Sequence, residues 1–184
     1  MADSPSGTPA RWREPSSLLT LRWGSWSARS WGGLALIVGG GTAIAGTTAS
    51  TAWLATAGVL AHLLGWSIMP ATGWRRIVVL LPSTSAMVVL LSGPTYLSVL
   101  VVPFLCWLLV RHRPLRVWPM AAFVVAAGIV LARIYPEYSG MLPALGVMAG
   151  ILGGAAWAAR AVHAASTRPV RPRRTLSRRG TTPS

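Results

Sequence analysis

Residues 77–110 read IVVLLPSTSAMVVLLSGPTYLSVLVVPFLCWLLV, a run of 34 residues without a charged side chain. Arg75 and Arg76 come immediately before this run, and Arg111 and Arg113 follow it. An uncharged run of this length is typical of a segment inside a membrane, where charged side chains are costly. The topology of the protein depends on whether this run crosses the membrane once or twice.

The length of the run favours two crossings. One helix of this length would extend about 51 Å at 1.5 Å per residue, whereas the hydrocarbon core of a bilayer is about 30 Å thick. Ser92-Gly93-Pro94-Thr95 lies near the midpoint and combines residues that are typical of a tight turn. We therefore predict two short antiparallel helices that are joined at this turn.

The composition places the whole chain in the membrane class. Hydrophobic residues make up 53% and charged residues 11%, whereas a soluble domain carries about 25% charged residues. Since only helices and closed barrels satisfy every backbone polar group in lipid, we predict an all-α, polytopic transmembrane helix bundle. The six predicted spans are residues 32–49, 51–69, 76–92, 94–111, 117–134 and 141–160.

The positions of the arginines set the predicted orientation. All 17 basic residues are arginine, which is typical of a GC-rich bacterial genome. If the six spans alternate in direction, sixteen arginines lie on one side and Arg133 alone lies on the other. The side rich in arginine belongs in the cytoplasm. We therefore predict a bacterial cytoplasmic membrane protein with both termini cytoplasmic, and 32–161 as its transmembrane domain.

Two basic segments flank the predicted transmembrane domain. Residues 1–31 form a tryptophan-containing segment that we expect in the cytoplasm or at the interface, and 162–184 form an Arg-rich tail that we expect to be disordered. Although the net charge is +14, no nucleic acid is expected, because the arginines lie between apolar runs. The predicted partner is instead the bilayer itself, through anionic headgroups. The predicted headgroup contacts are Arg171, Arg173, Arg174, Arg178 and Arg179.

Small residues recur every four positions in the first and sixth spans. Such a row keeps to one face of a helix and lets another helix approach closely. The row could serve self-association or docking onto a membrane-protein partner, or it could serve packing within this bundle, where the two faces could pack on each other. The predicted helix-packing residues are Ala35, Gly39, Ala43, Gly146, Gly150 and Gly154. The glycine run 39–41 also interrupts the apolar core that a cleaved signal peptide needs, so we expect the first span to be retained.

Few polar residues fall within or beside the spans. His62 lies inside the second span, where it could be a proton relay or ligand, or a neutral histidine bonded to a neighbouring helix. Arg133 and Glu137 form the only charged outward segment, which could be a recognition point or an interfacial anchor. The hydroxyl residues 83–85 follow Pro82 and could line a polar path or satisfy the carbonyls that this proline leaves free.

The sequence contains no motif of a known catalytic or cofactor site. There is one cysteine, and neither a P-loop nor a metal-ligand pattern is present. Six spans are a feature of intramembrane serine proteases, but their Gly-x-Ser-Gly motif is absent. We expect no catalytic residues, no metal and no cofactor. The sequence favours a non-enzymatic accessory or scaffold component that acts through helix contacts, and the alternative is a small transporter or channel near His62 and Pro82.

Overall fold

The computed structural model describes residues 24–166, apart from the side chains of the last few residues of the final helix. Helix accounts for 86% of these residues and no strand occurs among them, which confirms the all-α prediction. The predictions for residues 1–23 and for the tail, including its headgroup contacts at Arg171, Arg173, Arg174, Arg178 and Arg179, lie outside the described residues. The α-helices are α1 (Trp26–Ala45), α2 (Trp53–Ile68), α3 (Gly73–Val89), α4 (Val101–Val110), α5 (Met120–Ile134) and α6 (Met141–Ser166).

The first helix begins earlier than the predicted boundary at residue 32. Ser25 caps it, because its side chain accepts a hydrogen bond from the backbone N–H of Ala28 at 3.2 Å. The part of the predicted interfacial segment from Trp26 onward is therefore the start of α1. The last helix also extends further than predicted, because α6 continues to Ser166, beyond the predicted end at residue 160.

The uncharged run forms a helical hairpin that turns at Gly93. This glycine has φ +108°, a conformation that side-chain-bearing residues rarely adopt. The ends of the hairpin meet, because Nη1 of Arg75 donates to the carbonyl oxygen of Leu109 at 2.6 Å. The predicted division of the run at this turn is thus confirmed. A 3₁₀ helix over Pro94–Leu100 leads from the turn into α4.

We expect Gly93→Ala to lower the free energy of unfolding by about 1–3 kcal/mol, because a Cβ atom strains a backbone at this φ. Space is not the reason, since the new Cβ would lie 3.8 Å from the nearest atom of Tyr138. Unfolding by sodium dodecyl sulfate in mixed micelles would measure the loss. Gly73→Ala is the matched control, since Gly73 begins α3 with nothing within 4 Å of an added Cβ. Equal stabilities of the two variants would contradict this account.

Seven of the eight arginines in residues 24–166 lie at one end of the bundle, which we call the basic end. There, the start of α1 meets the end of α2, because Nε of Arg29 donates to the carbonyl oxygen of Ile68 at 2.9 Å. At the opposite end, the hydroxyl of Tyr138 lies 3.1 Å from the carbonyl oxygens of both Ala45 and Thr47. This contact holds the loop between α5 and α6 against the end of α1.

Two reciprocal glycine pairs hold α1 against α2. A Cβ on Gly40 would lie 2.5 Å from the carbonyl oxygen of Gly58, and one on Gly58 would lie 2.7 Å from that of Gly40. Gly33 and Gly65 form the same arrangement at 2.9 and 2.7 Å. Within each helix the two glycines are two turns apart. The two helix backbones therefore touch at two levels, an approach that only glycine permits.

Within the described residues, the small-residue faces predicted from four-residue spacing are not packed against another helix, which favours the alternative of docking onto a partner over packing within the bundle. Among the predicted glycines, Gly39, Gly146, Gly150 and Gly154 have nothing within 4 Å of an added Cβ. Ala35 is exposed and Ala43 is half-buried. The reason is rotational: α1 turns Gly33 and Gly40 toward α2, which leaves the row of Ala35, Gly39 and Ala43 facing outward.

Three helical segments are long and apolar enough to cross a membrane, namely Gly73–Ser92, Leu115–Ile134 and Tyr138–Val162. Trp53–Ile68 and Pro94–Val110 are apolar but shorter. Large apolar side chains point away from the bundle, which is unusual for a protein surrounded by water. The structure is therefore compatible with a membrane protein. Examples of these exposed side chains are Leu60, Leu64, Ile77, Leu81, Phe123, Ile129 and Val130.

Candidate functional site

A cavity of about 700 Å³ lies between α1, α4 and α6. One face of α6 supplies residues from Leu145 to Arg160, and α1 supplies residues from Trp26 to Thr42. His62 and Trp66 of α2 also contact the cavity. Its volume is within the range of roughly 300–1,000 Å³ that is common for small-molecule sites. The apolar part of the lining includes Leu34, Ile37, Met87, Leu90, Leu100, Phe104 and Leu152.

Three arginines contact the cavity at the basic end of the bundle. Arg111 and Arg113 are only 8% and 7% exposed, and Arg160 joins them from α6. The guanidinium carbon of Arg111 lies 5.0 Å from the ring centre of Trp26. Both buried arginines also stack on Trp107, at 5.9 and 5.8 Å. Cation–π contacts of this kind hold the guanidinium groups in place, so positive charge is fixed at one end of the cavity.

The end of α4 explains how two arginines reach the same indole ring. The backbone N–H of His112 donates to the carbonyl oxygen of Leu109 at 3.2 Å, and that of Arg113 donates to Leu108 at 3.0 Å. His112 has φ +54°. These features define a Schellman motif. The motif reverses the chain after Arg111, so that Arg113 returns toward Trp107 instead of continuing away from the helix.

His112 itself adds no charge to this end at neutral pH. Burial lowers the pKa of the His112 imidazole below its ordinary value, and the positive charge of Arg75 lowers this pKa further. The imidazole is therefore neutral at pH 7. The positive charge beside the cavity comes from guanidinium groups, which stay charged at every physiological pH.

His62 is the centre of a buried hydrogen-bonded group that joins α1, α2 and α3. Its exposure is 0%. Nδ1 lies 3.0 Å from the carbonyl oxygen of Ile37, and Nε2 lies 2.9 Å from Oγ of Ser83. Nε1 of Trp66 donates toward Nε2 of His62 at 3.1 Å and toward Oγ of Ser83 at 2.9 Å. Because a carbonyl oxygen only accepts, the proton is on Nδ1 and Nε2 accepts from the hydroxyl of Ser83.

A serine hydroxyl bonded to an oriented imidazole is also the arrangement of a nucleophile and its base. Ser83 is fully buried, however, and it does not line the cavity. Trp66 already donates to the oxygen that would attack a substrate. The arrangement thus satisfies buried polar groups and ties three helices together. Sequence reasoning proposed His62 as a candidate but could not identify Ile37, Trp66 or Ser83 as its partners.

The other polar residues singled out in the sequence lie elsewhere. Arg133 and Glu137 are both exposed near the end of α5, and no ion pair joins them in the described part of the chain. Pro82 lies within an unbroken α3. Ser83 bonds to His62, while the hydroxyl of Thr84 is buried without a hydrogen-bond partner among the described residues. Within residues 24–166, no group of three histidine, cysteine or acidic side chains could hold a metal ion.

Comparisons with protein-family models, with curated proteins and with solved structures find no match to this chain.

Proposed function

We propose that this chain is a six-span protein of a bacterial cytoplasmic membrane with both termini in the cytoplasm. The observation that supports it is the meeting of residues 75 and 109 at one end of the bundle, beside Trp26 and Arg111. Seven of the described arginines then face a single compartment, as the positive-inside rule requires.

Helix length supports the same topology. The segment Pro94–Val110 is short by residue count, but its first seven residues are 3₁₀ helix. Since a 3₁₀ helix rises about 2.0 Å per residue against 1.5 Å in an α-helix, the segment extends about 29 Å. That length is close to the hydrocarbon thickness of about 30 Å. The tighter helix therefore lets a short segment reach across the bilayer.

Cysteine labelling on intact cells tests this topology. Ser50 and Ser139 are both exposed at the end opposite the basic end. Each is replaced by cysteine in a Cys106→Ala background. An impermeant maleimide should label both positions on intact cells. Ser184→Cys should react only after the cells are opened. Labelling of Ser184→Cys from outside, or protection of Ser139→Cys, would exclude the topology.

Within the membrane, the chain is proposed to be a non-enzymatic accessory or scaffold component that acts through helix contacts. The supporting observation is the outward face of α6. Gly146, Gly150 and Gly154 recur one turn apart with open space around each. The corresponding face of α1 carries Gly39. Small residues at this spacing allow another helix to approach closely in lipid.

The scaffold hypothesis requires a partner, either another protein or a second copy of the chain. Purification in mild detergent should recover the partner in stoichiometric amount. Gly150→Leu should abolish that recovery, because leucine fills the space between the helices. Ala126→Leu, at an exposed position of α5, is the control and should retain the partner. A monomer in every detergent, or equal recovery with both variants, would remove the hypothesis.

A transporter is the second candidate, and the cavity that reaches His62 favours it. Transport requires access from both sides in turn. In the Cys106→Ala background, Leu34→Cys places a thiol on the cavity wall. A water-soluble maleimide should label it from outside intact cells if the protein is a transporter. If the maleimide never labels Leu34→Cys from outside intact cells, the scaffold hypothesis is favoured.

An enzyme is the least supported class. The pair His62–Ser83 has the required hydrogen bond, but the serine does not contact the cavity. A fluorophosphonate probe is therefore expected to leave Ser83 unlabelled. Labelling that disappears in Ser83→Ala would reverse this assignment and indicate a serine hydrolase.

A further inference from the structure

We propose that the cavity between α1, α4 and α6 binds an anionic amphiphile whose phosphate headgroup lies among Arg111, Arg113 and Arg160 and whose apolar chain lies along α6. The inference depends on the membrane location of the chain. It does not depend on the scaffold role, because none of Gly146, Gly150 and Gly154 lines the cavity.

The cavity is divided by polarity along the bundle axis. At the end near the Gly93 turn, its walls are apolar, with Leu90, Leu100 and Leu145. The face of α6 from Leu145 to Arg160 is about 22 Å long at 1.5 Å per residue. One leaflet of the bilayer is about 15 Å deep, half of the hydrocarbon thickness. An extended hydrocarbon chain therefore has an apolar wall along its length, and the charged groups lie only at the basic end.

The charge at the basic end fits a phosphate. Guanidinium groups present paired N–H donors that match phosphate oxygens, and three of them contact this cavity. Among the described residues, no acidic side chain lines it. Within residues 24–166 the single acidic residue is Glu137, which lies at the opposite end of the bundle. The described groups that contact the cavity therefore carry a net positive charge, and an anion is the complementary ligand.

A buried hydroxyl group also lines the cavity. Ser30 lines the cavity and is 5% exposed. Its Oγ has no hydrogen-bond partner among the described residues. A buried hydroxyl without a hydrogen-bond partner is costly. A phosphate oxygen beside Arg111 would accept a hydrogen bond from this hydroxyl. The indole N–H of Trp26, which also lines the cavity, has no partner within the described residues either.

The mouth of the cavity suits an entry from the lipid. Trp31 of α1 and Trp157 of α6 line it and are 70% and 72% exposed. Tryptophan side chains prefer the headgroup level of a bilayer. The mouth thus lies between two outward-facing helix surfaces, and a lipid from the cytoplasmic leaflet could enter sideways without leaving the membrane.

Native mass spectrometry of the full-length protein in detergent, with one added lipid at a time, tests the inference. Dioleoyl phosphatidic acid should bind with a stoichiometry of one and at least tenfold more tightly than dioleoyl phosphatidylcholine. Inorganic phosphate alone should bind at least tenfold more weakly than phosphatidic acid. Tryptophan fluorescence should change with the same affinity, because five tryptophans line the cavity.

Matched variants separate a built site from general attraction between arginine and anionic lipid. Arg160→Gln should weaken phosphatidic acid binding at least tenfold, and this position is exposed on α6, so folding is retained. Arg116→Gln is the control, since Arg116 is exposed near the basic end but does not line the cavity. Ala149→Phe should also weaken binding, because it fills the cavity without changing the charge.

Four results would overturn the inference. Equal binding of phosphatidic acid and phosphatidylcholine would exclude the phosphate site, and equal loss in the two arginine variants would indicate surface attraction only. Binding of inorganic phosphate as tight as that of phosphatidic acid would exclude the apolar chain. If a second protein or a segment of this chain fills the cavity, phosphatidic acid will not bind, and that result also overturns the proposal.

Discussion

Gly40→Ala is expected to lower the free energy of unfolding by about 3 kcal/mol, near the upper part of the range for overpacked cores. The new Cβ would lie 2.5 Å from the carbonyl oxygen of Gly58 and 2.6 Å from the backbone nitrogen of His62. Both neighbours are backbone atoms, so no side chain can rotate away. The two helices must separate, and the separation also affects the contact between Gly33 and Gly65.

The adjacent glycine provides the control for this prediction. Gly39 lies one position earlier in the same helix and has nothing within 4 Å of an added Cβ. Gly39→Ala should therefore leave stability unchanged or raise it by up to about 1 kcal/mol through helix propensity. Unfolding in mixed micelles of dodecyl sulfate would compare the two variants in the same detergent. Equal effects would mean that α1 does not present Gly40 to α2.

The hairpin of residues 77–110 was predictable because its evidence is local. The charge-free length and the Gly93-Pro94 turn lie within the segment itself, and the flanking arginines lie directly beside it. The glycine contacts were not predictable in the same way. Lipid and neighbouring helices are equally apolar, so a row of small residues does not reveal which of the two it faces. The seven-residue spacing of Gly33 and Gly40, repeated by Gly58 and Gly65, was the signal that could have found the true interface.

The candidate site required information that one sequence lacks. His62 bonds to residues 25 and 21 positions away, and the rotation of each helix decides which residues those are. Arg111 and Arg113 were recognised only as topology determinants. Their return to Trp107 depends on the left-handed conformation of His112, which a glycine at that position would have indicated and a histidine does not.

His62→Ala should lower the free energy of unfolding by about 2–4 kcal/mol, as expected when a buried polar group is deleted and its partners are left behind. The imidazole has 0% exposure and fills the space between α1 and α3. Its removal creates a void and leaves the hydroxyl of Ser83 with Trp66 as its remaining partner. The two groups would still share one hydrogen bond, which keeps the loss below that of a fully broken network.

A double-mutant cycle distinguishes this network from a general packing effect. If the bond between Nε2 and Oγ stabilises the fold, then His62→Ala and Ser83→Ala together should cost less than the sum of the single changes, with a coupling of about 0.5–3 kcal/mol. Ser85→Ala, on the exposed side of α3, should add to His62→Ala without coupling. Strict additivity of His62→Ala and Ser83→Ala would contradict the hydrogen bond. A coupling confined to that pair would show that His62 is a structural tie between α2 and α3.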